Sequence, residues 1–156
     1  SGTVIPLFIK QIQEGKSLTI TNPDMTRFMM TLEQSVNYAL FALEKGVNGD
    51  LIIERASSVS IGDIASAVIE NIPGGCSDKF IITGARPGEK LYEVMATEQE
   101  MSRSEELNNN FLRVSMLQLA KSEQISPLKE LNSHTATRMD RYRLKEIINN
   151  ISRQMG

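Results

Sequence analysis

The chain has one cysteine and one histidine among its 156 residues, so it can close no internal disulfide and build no multi-histidine metal site. Cys76 stands in Gly74-Gly75-Cys76-Ser77 without a neighbouring base, the setting of an ordinary free thiol. Tryptophan is absent, and five Phe with three Tyr are too few and too scattered to form a base-stacking platform. A formal net charge of -2, with basic residues dispersed, supplies no electrostatic stripe, so nucleic acid is excluded as the main partner. No apolar run approaches the roughly 18 residues that cross a bilayer, and no signal-peptide pattern opens the chain. A cytoplasmic location without a membrane span is therefore expected. The carboxylates do not cluster as a metal site requires, and there is neither an internal repeat nor a low-complexity linker.

What is present has the pattern of packed elements. Phe8, Ile9 and Ile12 predict a helix that starts near Pro6, a residue tolerated in a first helical turn, and stops at Gly15. Leu18 to Ile20 alternate like a short strand. Thr31 and Gln34 form a capping box ahead of Leu32, Val36, Ala39, Leu40 and Leu43 at helical spacing, with a stop at Gly46. The run Leu51-Ile52-Ile53 within 50–55 predicts a buried strand of a parallel sheet. Ser60 to Ile72 form another amphipathic helix, with Ile61, Ile64, Ala65, Val68 and Ile69 on one side. Phe80 to Ile82 read as a short strand. Thr97 and Glu100 predict a capped helix through about Leu107, and residues 115–139 read as loop. A last helix from about Asp140 shares Leu144, Ile147, Ile148 and Ile151 on one face.

Two arginines stand in turns. Asn22-Pro23-Asp24 delivers Arg27, with Asp24 either orienting it or simply making an Asx turn. In Gly84-Ala85-Arg86-Pro87-Gly88-Glu89-Lys90, Pro87 biases Arg86 toward extended backbone and Gly88 lets the chain turn. A planar guanidinium suits a phosphate or diphosphate held through paired hydrogen bonds. The alternative for each arginine is an exposed ion pair worth at most about 1 kcal/mol.

The strings Gly2-Thr3-Val4-Ile5-Pro6-Leu7-Phe8, Leu18 through Phe28, Arg86-Pro87-Gly88-Glu89-Lys90-Leu91-Tyr92-Glu93 and Asn132-Ser133-His134-Thr135 occur in this order. Together they resemble the sugar-nucleotide half of the extended short-chain dehydrogenase/reductase superfamily, and among its members the UDP-N-acetylglucosamine 4,6-dehydratases of capsule and O-antigen biosynthesis. The last string is similar to the C-terminal extension of dehydratases that also epimerise C5. The resemblance implies an α/β fold: the C-terminal, sugar-nucleotide-binding portion of an extended Rossmann-type enzyme. Residues 1–110 would hold the UDP-sugar and carry a helix and strand from the edge of the Rossmann sheet, and 111–156 would be a C-terminal extension ending in a helix.

It further implies that Arg27 and Arg86 hold the UDP phosphates, that Glu89 accepts from ribose hydroxyls, and that Val4 and Pro6 pack the uracil. NAD(P) is implied for a complete enzyme, with a UDP-sugar, an N-terminal Rossmann half and a homo-oligomeric assembly as partners. Yet the Gly-x-Gly-x-x-Gly turn that holds the dinucleotide in such enzymes does not occur in these residues. Nor does their Tyr-x-x-x-Lys, because Tyr38, Tyr92 and Tyr142 are followed four residues on by Ala42, Ala96 and Glu146. No catalytic, cofactor or metal residue is therefore assigned, and the chain is expected to be inactive alone. Lys90 reads as a solvated surface lysine, and His134 as a stabiliser of its turn. Two alternatives stand beside this reading: part of a UDP-sugar 4-epimerase, or a non-catalytic assembly domain with a vestigial phosphate site.

Overall fold

A computed structural model describes residues 4–74, 80–85, 87–115 and 129–155. Arg86, Cys76 and most of the expected 115–139 loop lie outside the described residues.

Helix α1 (Val4–Gln13) opens the fold and buries Ile5, Phe8, Ile9 and Ile12. Pro6 falls in its first turn, where a missing N–H leaves no intrahelical bond unmade. Strand β1 (Thr19–Ile20) follows, and then β2 (Thr26–Met29). Helix α2 (Leu32–Lys45) starts at the expected box, with Thr31 accepting from Gln34 N and the Gln34 side chain accepting from Thr31 N. Strands β3 (Asp50–Glu54) and β4 (Ser57–Ser60) lead into α3 (Ile61–Asn71), capped by the Ser60 hydroxyl. β4 pairs antiparallel with β2, Arg27 opposite Val59. β5 (Ile81–Ile82) runs parallel to β1.

The second half adds β6 (Val94–Ala96), α4 (Glu98–Met101), β7 (Ser104–Glu106), β8 (Phe111–Ser115), β9 (Leu131–Asn132) and α5 (Arg141–Met155). Among the described residues two apolar cores result. The larger packs α1, α3 and α5 with β1 and β2, centred on Phe8, Ile9, Ile64, Val68 and Ile148. The smaller joins Ile53, Ala96, Met101, Leu112 and Val114.

Three expectations need correction. The Leu51-Ile52-Ile53 strand does not lie in a parallel sheet: β3 pairs antiparallel with β8, in the order β3-β8-β7. Ile52 and Ile53 are buried because the sheet is covered on both sides there, whereas Leu51 stays 39% exposed. Ile53 and its partner Leu112 face the smaller core, while α2 lies over the other face, with Phe41 stacked on Phe111 at 4.0 Å. The capped helix at Thr97 ends at Met101 instead of reaching Leu107. There the Ser102 and Ser104 hydroxyls bond to the carbonyls of Gln99 and Met101, competing with helical continuation. The stretch 115–139, read as loop, contains the end of β8 at Ser115 and strand β9 at Leu131–Asn132, and ahead of it Asn108 Oδ1 accepts from Asn110 N and Phe111 N and turns β7 into β8. This turn pairs Glu106 with Leu112 and Ser104 with Val114.

Candidate functional site

The residues around Arg27 define a hollow of about 470 Å³ between α1, the end of β1, the start of α3 and the turn before Leu91. Val4, Leu7 and Phe8 contribute one wall, and Met25 and Ile61 another. Arg27, Thr21 and Glu89 supply its polar groups. A concave site with an apolar lining and a few convergent polar groups is the usual form of a small-molecule site.

Its walls follow from local sequence. The amphipathic pattern of α1 turns Phe8 inward, while Leu7 stays 51% exposed at the opening. Asn22 Oδ1 accepts from Asp24 N at 2.8 Å and closes the turn that precedes β2. The first turn of α3 lies hard against this turn, with Gly62 N donating to Pro23 O at 2.9 Å. A Cβ at position 62 would stand 3.1 Å from both Pro23 O and Pro23 Cβ, so the glycine permits the close approach that brings Ile61 to the hollow.

Arg27 is anchored on its protein side. Nη1 donates to Thr26 O at 2.8 Å, Nη2 to Lys90 O at 3.0 Å, and Nε lies 3.8 Å from Glu93 Oε1. The carboxylate at Arg27 is thus that of Glu93, while the Asx turn belongs to Asn22 and not to Asp24. Glu93 also accepts from Phe28 N at 3.0 Å, which ties it to β2. A guanidinium has five N–H donors, more than these contacts occupy, and its side chain retains 21% exposure. Across the hollow, Thr21 Oγ1 donates to Glu89 Oε1 at 3.3 Å.

Of the residues expected from the sequence, Val4, Arg27 and Glu89 come together on this hollow. Pro6 is half-buried on α1 and is not among the lining residues. Arg86 lies outside the described residues; Gly84 before it and Gly88 after it are both at φ 83°. Leu7, Phe8, Thr21, Met25 and Ile61 join the site with no binding role read for them from the sequence, and the periodic apolar faces that hold Phe8 and Ile61 signal packing, not a pocket. Glu93 was legible as part of the Arg86-to-Glu93 string, but no local signal linked it to Arg27. His134 sits on a turn held by Asn132 Oδ1, which accepts from the N–H groups of His134 and Thr135, and its ring lies 6.3 Å from that of Tyr92.

A second hollow, of about 530 Å³, lies between the start of α2 and α5 and is lined by Glu33, Asn37, Arg143, Glu146 and Asn150 among others. It mixes both signs of charge and contains none of the expected binding residues.

The chain matches the polysaccharide biosynthesis protein family over residues 1–115. It belongs to that family. It is 36% identical over 156 residues to the UDP-glucose 4-epimerase of Rickettsia canadensis (strain McKiel), covering 94% of this chain and 45% of the relative. The corresponding protein of Rickettsia bellii (strain OSU 85-389) is 37% identical over 159 residues, covering 96% and 46%. In three dimensions the chain is similar to Pen from Bacillus thuringiensis, known from an X-ray structure, with a TM-score of 0.78 and 30% identity over 96% of this chain and 45% of that one. The chain thus spans about half the length of the relatives it matches. Together with the elements described above, this likeness gives a mixed α/β fold. Among the described residues no helix is long and apolar enough to cross a membrane.

For a family member of this kind, the fit of a dinucleotide can be tested on the helix starts, where a pyrophosphate would seek free N–H groups. Four starts are closed by the chain's own acceptors: Thr31 at α2, Ser60 at α3, Thr97 at α4 and Asp140 at α5. Asp63 adds a carboxylate in the first turn of α3, which opposes an anion there. These four helix starts do not fit the pyrophosphate of NAD(P). No group of acidic, histidine or cysteine side chains among the described residues is arranged to hold a metal.

Proposed function

We propose that these residues form the UDP-sugar-binding portion of a UDP-sugar-modifying enzyme of polysaccharide biosynthesis, built on the extended short-chain dehydrogenase/reductase plan. The observation that carries this reading is the convergence of an apolar wall, a carboxylate and an anchored guanidinium on one hollow. Uracil would lie against Val4, Leu7 and Phe8, with Pro6 flanking them. Ribose hydroxyls would donate to Glu89, an acceptor-only group when ionised. Phosphate would take the remaining donors of Arg27, with Arg86 joining from its turn. The names of the Rickettsia relatives support a UDP-sugar as the ligand class.

The work of such a site is positional. Binding energy gained from the UDP group, remote from the reacting hexose, holds the sugar in place and lowers the entropic part of the barrier. The dinucleotide and its chemistry would come from polypeptide outside these residues, the Rossmann half. Its seat would be the outward stripe of α2, where Leu32, Val36, Leu40 and Leu43 are 50–82% exposed, beside the outer edge of β3, which is unpaired among the described residues. Relatives more than twice this length carry enough additional chain to cover both.

Two reactions fit this reading. The names of the relatives favour a UDP-sugar 4-epimerase, and the motif strings favour a UDP-N-acetylglucosamine 4,6-dehydratase that also epimerises C5. The hexose product, identified by NMR with the remaining half of the enzyme supplied, separates them.

Calorimetry with UDP at low and moderate salt tests the site itself. Binding is expected to weaken at least tenfold in Arg27→Ala and in Arg86→Ala, and to weaken with salt as a phosphate contact should. If UDP does not bind even when the remaining half of the enzyme is present, the site is vestigial and the chain is an assembly domain.

A further inference from the structure

We propose that Ser133, 107 residues away from Thr26 in sequence, is the positioning residue that sets the Arg27 guanidinium for its ligand. This rests on the nucleotide reading given above. Ser133 is fully buried, as is Thr26. Its hydroxyl has three partners: Thr26 O at 3.0 Å, Thr26 Oγ1 at 2.8 Å and Glu93 N at 2.9 Å. A hydroxyl has one proton and two lone pairs, so this set saturates it in one arrangement. The Ser133 O–H donates to the Thr26 carbonyl, while the Thr26 hydroxyl and the Glu93 N–H both donate to Ser133 Oγ. The serine N–H donates to Glu93 O at 2.8 Å, closing a two-way link between the segments.

Both ends of this node lead to Arg27. Thr26 O is the same carbonyl that accepts from Arg27 Nη1 at 2.8 Å. Its two lone pairs are therefore divided between Ser133 and the guanidinium, and the serine holds the oxygen on which the arginine rests. On the other side, fixing Glu93 N places the residue whose carboxylate lies 3.8 Å from Arg27 Nε. One buried hydroxyl thus locks three segments (26–28, 90–93 and 131–133) around a side chain that faces the hollow. A buried network with every member satisfied rigidifies what it holds, and an arginine fixed in advance loses less freedom on binding phosphate.

The test uses the whole chain, with UDP and uridine as probes. Ser133→Ala is expected to weaken UDP about tenfold and leave uridine unchanged, because uridine lacks the phosphate on which Arg27 acts. In an Arg27→Ala background the same change should have no further effect on UDP. Ser133→Cys nearly preserves the volume but hydrogen-bonds weakly, so it should reproduce the loss even if the alanine variant folds poorly. NMR of the Arg27 Nε–H group without ligand reads the positioning directly, and its distinct signal should collapse toward the solvent-averaged position in either variant. Equal losses for UDP and uridine, a loss that persists without Arg27, or an unchanged Nε signal would each overturn the proposal. If UDP does not bind even with the remaining half of the enzyme present, the nucleotide reading fails, and the Nε signal still decides whether Ser133 positions Arg27.

Discussion

Helices α2 and α3 carry the same kind of sequence and end in opposite situations. Each begins at a hydroxyl cap and repeats aliphatic residues at helical spacing. α3 sinks that face into the larger core, with Ile64, Ala65 and Val68 completely buried. α2 has no buried residue, and Leu32 and Leu43 are more than 80% exposed. Its contact with the sheet is made instead by Tyr38 and Phe41, from the opposite side of the helix. An amphipathic pattern therefore announces a face that seeks cover without saying whether the cover lies within these residues. In α3 it does. In α2 the stripe is left for something else.

The contrast can be broken or sharpened by substitution. The largest effect is expected in α3, where Ile64→Ala should cost about 2–5 kcal/mol in urea or guanidinium unfolding, because it deletes a fully buried side chain. Thr31→Ala removes half of the capping box of α2 and should cost about 1 kcal/mol by the same measurement. A cost as large as that of Ile64→Ala would mean that α2 is integral to the cooperative unit.

A smaller gain is expected beneath α2. Burial pushes the Glu54 carboxyl above its ordinary 4.5, against the opposing pull of Arg143, and Glu54 Oε2 has no hydrogen-bond partner. A raised folded pKa means that the folded state holds the proton more tightly, so the penalty is absent below the unfolded value and grows as pH rises through the folded one. Glu54→Gln should therefore raise the melting temperature at pH 7 and give no such gain below about pH 4.5. A gain of equal size at both pH values would show that charge burial is not its source. The smallest effect belongs to Leu43→Gln, which should change the stability of this chain by no more than about 0.5 kcal/mol. In the proposed assembly the same variant should weaken association with the Rossmann half, measured by co-purification, and unchanged association would remove α2 from that interface.

Much of the fold is legible in short strings. Thr31 with Gln34 and Thr97 with Glu100 mark helix starts because a cap is a contact between residues three apart. The faces of α1, α3 and α5 follow from periodicity alone. β4 escaped notice because Ser57-Ser58-Val59-Ser60 has no apolar alternation, and its strand character comes from pairing with β2. The extent of α4 was misjudged because its cap says where a helix begins and nothing about the serines that end it. At the site, Val4, Arg27 and Glu89 were readable as a group only through their order in a family pattern, since 62 positions separate the last two.

The sequence by itself determined the helices, their caps and which residue types were available to meet a phosphate, because those properties depend on neighbours within a turn or two. Tertiary structure decided which apolar face is covered, which direction β3 pairs, and that Ser133 meets Thr26 and Glu93, the two residues that hold Arg27. Those outcomes depend on hydrogen bonds and packing between segments far apart in the chain, where no local spacing records the partner.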